Sequence, residues 1–98
     1  MKSLSPAQRQ HLKGLAHGLQ PVVMIGNQGL TPAVLKEIER SLAAHELIKV
    51  KAASDEIETR RAWMEEICTA TGAAPVQQIG KVLVLYRAGE KPVIALPK

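Results

Sequence analysis

Phenylalanine is absent, and Trp63 and Tyr86 are the only aromatic residues in the 98. A module that holds single-stranded bases by stacking needs several exposed rings. Two rings exclude an RRM-like or OB-like stacking platform and leave backbone and charge contacts as the mode open to a nucleic-acid partner. Cys68 is the single cysteine, so no intramolecular disulfide can form and the chain suits a reducing compartment. A lone cysteine in a helical stretch reads as a small core hydrophobe. No apolar run approaches the roughly 20 residues of a membrane-crossing helix. Met1-Lys2-Ser3-Leu4 opens no apolar signal segment, and a cytoplasmic location is expected. His11, His17 and His45 are scattered, and with Cys68 they show no metal-ligand spacing. Ser3, Ser5, Ser41 and Ser54 lack the context of a nucleophile elbow. No general acid–base pair stands out. The expectation is a protein without catalytic residues, metal or cofactor.

What is present is an aliphatic, basic chain of a length that makes one domain over residues 1–98. Hydrophobic residues make up 46%, too many for a disordered chain. Lys and Arg number 13 against 9 acidic residues, a formal charge of +4. Small basic proteins often meet polyanions, although a solvated basic surface gives the same total.

The chain alternates helix and strand signals. Ser5-Pro6-Ala7-Gln8 reads as a capping box with proline at the first helical position; Leu12, Leu15, Ala16 and Leu19 follow at helical spacing. Val22-Val23-Met24-Ile25 is short and apolar, and predicts a strand buried on both faces. Thr31 caps a second helix with Pro32 at its start and a stripe of Val34, Leu35, Ile38 and Leu42; His45 and Glu46 mark its end. Leu47 to Lys51 reads as a strand with an exposed face. Ser54-Asp55 is expected to cap a third helix carrying Ile57, Met64, Ile67 and Cys68, with Gly72 as its stop. Val76–Ile79 and Val82–Arg87 flank Gly80-Lys81 as a hairpin. Val93 to Leu96 suggests an added edge strand. The order α-β-α-β-α-β-β predicts a compact α/β sandwich on a mixed four-stranded sheet. Its strand–helix–strand units should place parallel strands side by side. The core spans about residues 4–87, with 88–98 a C-terminal tail.

One segment carries chemistry. An apolar strand runs into Gly26-Asn27-Gln28-Gly29, and a helix opens just beyond. Two glycines allow a sharp turn and leave backbone amides uncovered, and the helix N-terminus adds unpaired N–H groups and partial positive charge. A phosphate can approach such a site closely, and KH domains clamp a nucleic-acid backbone with a Gly-x-x-G loop. The four-residue pattern alone favours a tight strand-to-helix turn with no ligand. It lacks the third glycine of a dinucleotide fingerprint and the Gly-Lys-Ser/Thr of a P-loop. Basic residues are arranged around it. Arg9 and Lys13 share a face of the first helix, with His17 extending the row, and Lys36 and Arg40 share a face of the second. Lys49 and Lys51 point to one side of their strand. Arg60-Arg61, among Glu56, Glu58, Glu65 and Glu66, reads as intrahelical ion pairing. Trp63 lies beside the apolar stripe of the third helix and is expected at the edge of the core.

Leu4–His17, Pro21–Val23, Ile25–Thr31, His45–Lys51 and Gln78–Arg87, in this order, resemble the stand-alone bacterial CRM-domain proteins, the YhbY family, over nearly the whole chain. The resemblance implies an RNA-binding domain related in fold to the C-terminal domain of translation initiation factor three. It also implies association with precursors of the large ribosomal subunit, hence with a pre-ribosomal particle, as a monomer when free. Its RNA-contacting loop maps to Gly26, Asn27, Gln28 and Gly29. Many plant relatives place a basic residue inside that loop; with Asn27 and Gln28 there, the charge must come from neighbours. The residues expected to contact RNA are therefore these four with Thr31, Arg9, Lys13, Lys36, Arg40, Lys49, Lys51 and Arg87. Two other classes compete. One is a protein–protein adaptor that docks on ribosomal proteins through the hydrophobic C-terminal tail. The other is an enzyme that holds a small phosphorylated ligand at the loop.

Overall fold

The computed structural model describes residues 4–98, so the reading of Met1–Ser3 lies outside the described residues. Helix α1 (Pro6–Ala16) is followed by β1 (Pro21–Ile25), α2 (Pro32–His45), β2 (Leu47–Ala52), α3 (Ile57–Thr71), β3 (Ala74–Ile79) and β4 (Val82–Tyr86). The two proline-led starts form as their sequences direct. At α1 the Gln8 amide donates to Ser5 Oγ at 3.1 Å and the Ser5 amide to Gln8 Oε1 at 3.0 Å, a complete capping box. At α2 the Val34 amide donates to Thr31 Oγ1 at 3.2 Å.

The strands form one mixed sheet in the order β1-β2-β4-β3. β1 and β2 are parallel, whereas β4 is antiparallel to both of its neighbours. β2 and β3 therefore run in the same direction but do not touch: the last strand of the chain inserts between them. The parallel neighbours expected of the second strand–helix–strand unit are thus replaced by two antiparallel pairs.

The sheet has a core on each face. On one side Val23, Ile25, Ile48, Val50, Leu83 and Leu85 pack against Ile38 and Leu42 of α2 and Met64, Ile67 and Cys68 of α3. On the other, Leu47, Val84 and Tyr86 pack against Leu12 and Ala16 of α1. Burial pushes the Cys68 thiol up to about 11, so it stays protonated and acts as a small hydrophobe.

Four expectations are corrected. β1 is an edge strand buried on one face only, with Val22 and Met24 49% and 59% exposed; an apolar run does not distinguish a central strand from an edge. α3 starts at Ile57 without a side-chain cap. Ser54 Oγ instead accepts from the Glu56 amide at 3.2 Å, and Asp55 pairs with Lys81 at 2.7 Å across the β3–β4 turn, a contact that holds the Asp55 carboxyl below its ordinary range. Arg60 makes no intrahelical ion pair. It is 9% exposed, and one of its terminal nitrogens donates to the Ser54 carbonyl at 2.6 Å, so it anchors the β2–α3 connection. Residues 93–96 form no strand.

The tail is held by one buried carboxylate. Glu46, 5% exposed, accepts from the Gly89 amide at 2.7 Å and from the Val93 and Ile94 amides at 3.0 Å each. These bonds, the one from Gly89 above all, hold its carboxyl below the ordinary value. They also account for its backbone, at φ 64° and ψ −48° the sole non-glycine with positive φ among the described residues. A side chain that closes a long-range contact offsets a strained conformation there. Clasped in this way, Ile94 and Leu96 pack on the α1 side of the sheet with Leu4.

Candidate nucleic-acid interface

The glycine loop leaves the C-terminal end of β1, at the rim of the sheet. Its turn is closed by the Gly29 amide donating to the Gly26 carbonyl at 3.0 Å, and the Thr31 amide then donates to the Gly29 carbonyl at 3.0 Å. The Asn27 and Gln28 amides at the tip find no acceptor among the described residues, and both side chains are exposed. The two glycines have different reasons to be there. Gly29 sits at φ +74°, a left-handed conformation that disfavours side chains. Gly26 has no such φ, and a Cβ built on it meets nothing within 4 Å. The fold does not require glycine at position 26; the space beside it is open.

Trp63 lies directly against this loop. Its Cζ2 and Nε1 are 3.8 and 4.0 Å from where a Gly29 Cβ would sit. It packs on the α2–α3 core with Leu30, Val34 and Leu35, as expected for a residue at the core edge. Its proximity to the loop was not legible in the sequence, because 34 positions separate it from Gly29 and no local signal joins them.

The basic residues divide between surfaces. Lys36 and Arg40 lie on the side of α2 opposite Ile38 and Leu42, facing solvent away from the sheet. Lys49 and Lys51 point to the other face of the sheet, since Ile48, Val50 and Ala52 take the α2–α3 side. Arg9 and Lys13 belong to that second face too. Helix α1 crosses it at the end farthest from the loop. Gln8 and Leu15 lie on one flank of the Leu12–Ala16 stripe and turn to the tail: Gln8 Nε2 donates to the Pro97 carbonyl at 3.1 Å, and Leu15 shares a cavity of about 520 Å³ with Ile94. Arg9 and Lys13 lie on the opposite flank, toward the uncovered part of the sheet. Both are half-buried along their stems. Arg87 is apart from all of these. It follows β4 at the far end, where its guanidinium bonds Glu39 and the Thr71 carbonyl.

The sheet also partitions charge. No Asp or Glu occurs in α1 or in any strand, while Arg9, Lys13, Lys49 and Lys51 do. Glu37, Glu39, Asp55, Glu56, Glu58, Glu65 and Glu66 all lie on α2, α3 or the turn that opens α3. Lys36 and Arg40 are thus embedded among carboxylates, whereas on the α1 face the two remaining acidic residues, Glu46 and Glu90, lie at the tail, and α1, β1 and β2 carry none. Of the expected set, the structure brings together the loop, Arg9, Lys13, Lys49 and Lys51. It sets Lys36 and Arg40 on the outer helix layer and Arg87 in a structural contact. The described residues contain no group of three or more His, Cys, Asp or Glu placed to hold a metal, and no described helix is long and apolar enough to cross a membrane.

A small α/β module with open loop amides at the rim of a cationic sheet face is a domain suited to meet a polyanion. The chain belongs to the CRS1/YhbY (CRM) domain family, whose model matches residues 4–87. It is 54% identical over 98 residues to an RNA-binding protein of Haemophilus influenzae, covering 100% of this chain and 99% of that one. It is 43% identical over 90 residues to a probable RNA-binding protein of Pseudomonas aeruginosa, covering 92% and 86%. The solution structure of a Staphylococcus aureus protein, 34% identical, aligns with a TM-score of 0.85 over 96% of this chain and 99% of that one.

Proposed function

We propose that this protein binds RNA, and that its target is a precursor of the large ribosomal subunit on which it acts during assembly. The observation that carries the RNA reading is the charge partition. The elements that border the Gly26–Gly29 loop on the α1 face, β1, β2 and α1, carry basic side chains and no acidic ones, so an RNA backbone clamped at the loop amides continues over Lys51, Lys49, Lys13 and Arg9. The names of the relatives support an RNA partner, and the resemblance to stand-alone CRM-domain proteins supports the ribosomal assignment. Phosphate contacts of this kind position RNA without reading its sequence. A particular precursor is then selected by its shape and by further contacts. Crosslinking in cells followed by sequencing of the attached RNA tests the assignment: enrichment of unprocessed large-subunit RNA is expected, and an even spread over messenger and transfer RNA would overturn it.

The adaptor reading finds less support. It needs an apolar tail free to dock elsewhere, and Ile94 and Leu96 are packed on the body while Glu46 holds the backbone beside them.

A further inference from the structure

Beside the glycine loop, a row of four side chains crosses the whole sheet on the α1 face. The strand registers pair Met24 with Lys51, Lys51 with Val82, and Val82 with Ile79. The row spans roughly 14 Å, three inter-strand gaps of about 4.8 Å. Helix α1 covers the opposite end of this face, through Leu12 and Ala16 on Leu47, Val84 and Tyr86; Val82 touches the edge of that core, and Met24, Lys51 and Ile79 are left open. Met24 is 59% exposed and Ile79 54%, among the most exposed large hydrophobic residues of the described chain. Val82 is half-buried and Lys51 exposed between them.

We infer that this row is a docking strip for unpaired nucleobases, so that the RNA taken by this face is single-stranded where it crosses the sheet. The inference rests on the RNA reading above and specifies its ligand. Two observations favour this occupant. The strip's surroundings are complementary to a polyanion: Lys51 lies within it, Lys49 in the next row, Arg9 and Lys13 along the facing flank of α1, and no carboxylate on any of these elements. The strip itself is apolar and adjoins the loop where the backbone is clamped, Met24 being two residues before Gly26 and on the same side of the chain. A duplex presents phosphates and 2′-hydroxyls outward and hides its base faces, so it leaves the exposed Met24 and Ile79 without a partner. An unpaired base has an apolar face that these side chains can cover, and a methionine thioether packs well on aromatic systems. This also explains how a protein with two aromatic residues, Tyr86 buried and Trp63 on the other side of the sheet, can hold bases at all.

The test compares one fluorescein-labelled RNA of mixed sequence, free and annealed to its complement, by anisotropy against the full chain. The protein should prefer the single strand. The double variant Met24→Ser/Ile79→Ser should lose about tenfold or more in single-strand affinity, with its duplex affinity and the salt slope unchanged because no charge is removed. Its melting temperature should stay near that of the parent, both side chains being exposed. The variant Met24→Leu/Ile79→Val should retain the single-strand preference. Equal affinity of the parent for both RNAs, or an unchanged single-strand affinity in a folded serine variant, overturns the strip and leaves RNA binding intact. Binding to neither RNA overturns both readings.

Discussion

Neutralising Lys49 and Lys51 separates a localised RNA path from a diffuse charge effect. Both side chains lie on the α1 face, in adjacent rows of a strand without acidic residues. If each contacts one phosphate, Lys49→Gln/Lys51→Gln lowers the slope of log affinity against log salt by about 1.4, at roughly 0.7 per phosphate of single-stranded RNA. Over a fourfold rise in salt the parent then loses about sevenfold more affinity than the variant. The comparison is Lys36→Gln/Arg40→Gln, which removes the same charge from the outer side of α2 among Glu37 and Glu39. Its slope should change little. The assay is a titration of one single-stranded RNA at several salt concentrations, with melting curves for both variants. Equal slope changes from the two pairs would refute a localised path, and a larger change at Lys36/Arg40 would put the RNA on the acidic side of the molecule.

Gly26→Val should fold with near-parent stability, since nothing lies within 4 Å of the new side chain, yet weaken RNA binding; Gly29→Ala should lose about 1–2 kcal/mol of stability from its φ of +74°, and both are read by melting and anisotropy. Glu46→Gln replaces an acceptor of three amides with a group that also donates, and should cost about 1–3 kcal/mol, with protection of the Val93 and Ile94 amides from hydrogen exchange lost first. Because the folded Glu46 carboxyl is held below its ordinary 4.5, its contribution is complete above that pH and lost as pH falls through the lower native value; acid titration of the parent should therefore loosen the tail, and Glu46→Gln should abolish that pH dependence. Trp63, the one tryptophan, should report loop occupancy: its emission in the free protein should be that of a partly shielded indole, and RNA binding should shift it in the parent but much less in Gly26→Val.

Features written in short stretches of sequence were legible. The Ser5–Gln8 box, the Thr31 cap and the Gly80-Lys81 turn each need a few consecutive residues of the right type, and each formed. What depends on partners distant in the chain was not. The insertion of β4 between β2 and β3 has no local signature. The exposure of Val22 and Met24 follows from β1 lying at an edge, which its own residues do not encode. Arg60 reads as a surface ion-pair residue because four glutamates lie near it in sequence, whereas α3 turns it toward Ser54. Glu46 reads as a helix end, correctly, but its partners lie 43 to 48 residues away. The basic residues of the interface were legible one by one. Their division by the sheet was not, although the absence of acidic residues before Glu37 is its trace in the sequence.

The position of β4 bears on how the chain is made. Strands β1 and β2 can pair as soon as they are synthesised, but β3 has no neighbour in the sheet until β4 arrives, and β4 is the last element of the core to leave the ribosome. Leu83, Leu85, Val84 and Tyr86 supply the centre of both cores. A nascent chain lacking them exposes the apolar faces of all three helices together with an unpaired edge of β2. Folding should thus be a late, concerted event with long-range contacts closing almost simultaneously. Chains truncated before Val82 should be caught by chaperones or aggregate, not accumulate as a stable N-terminal half.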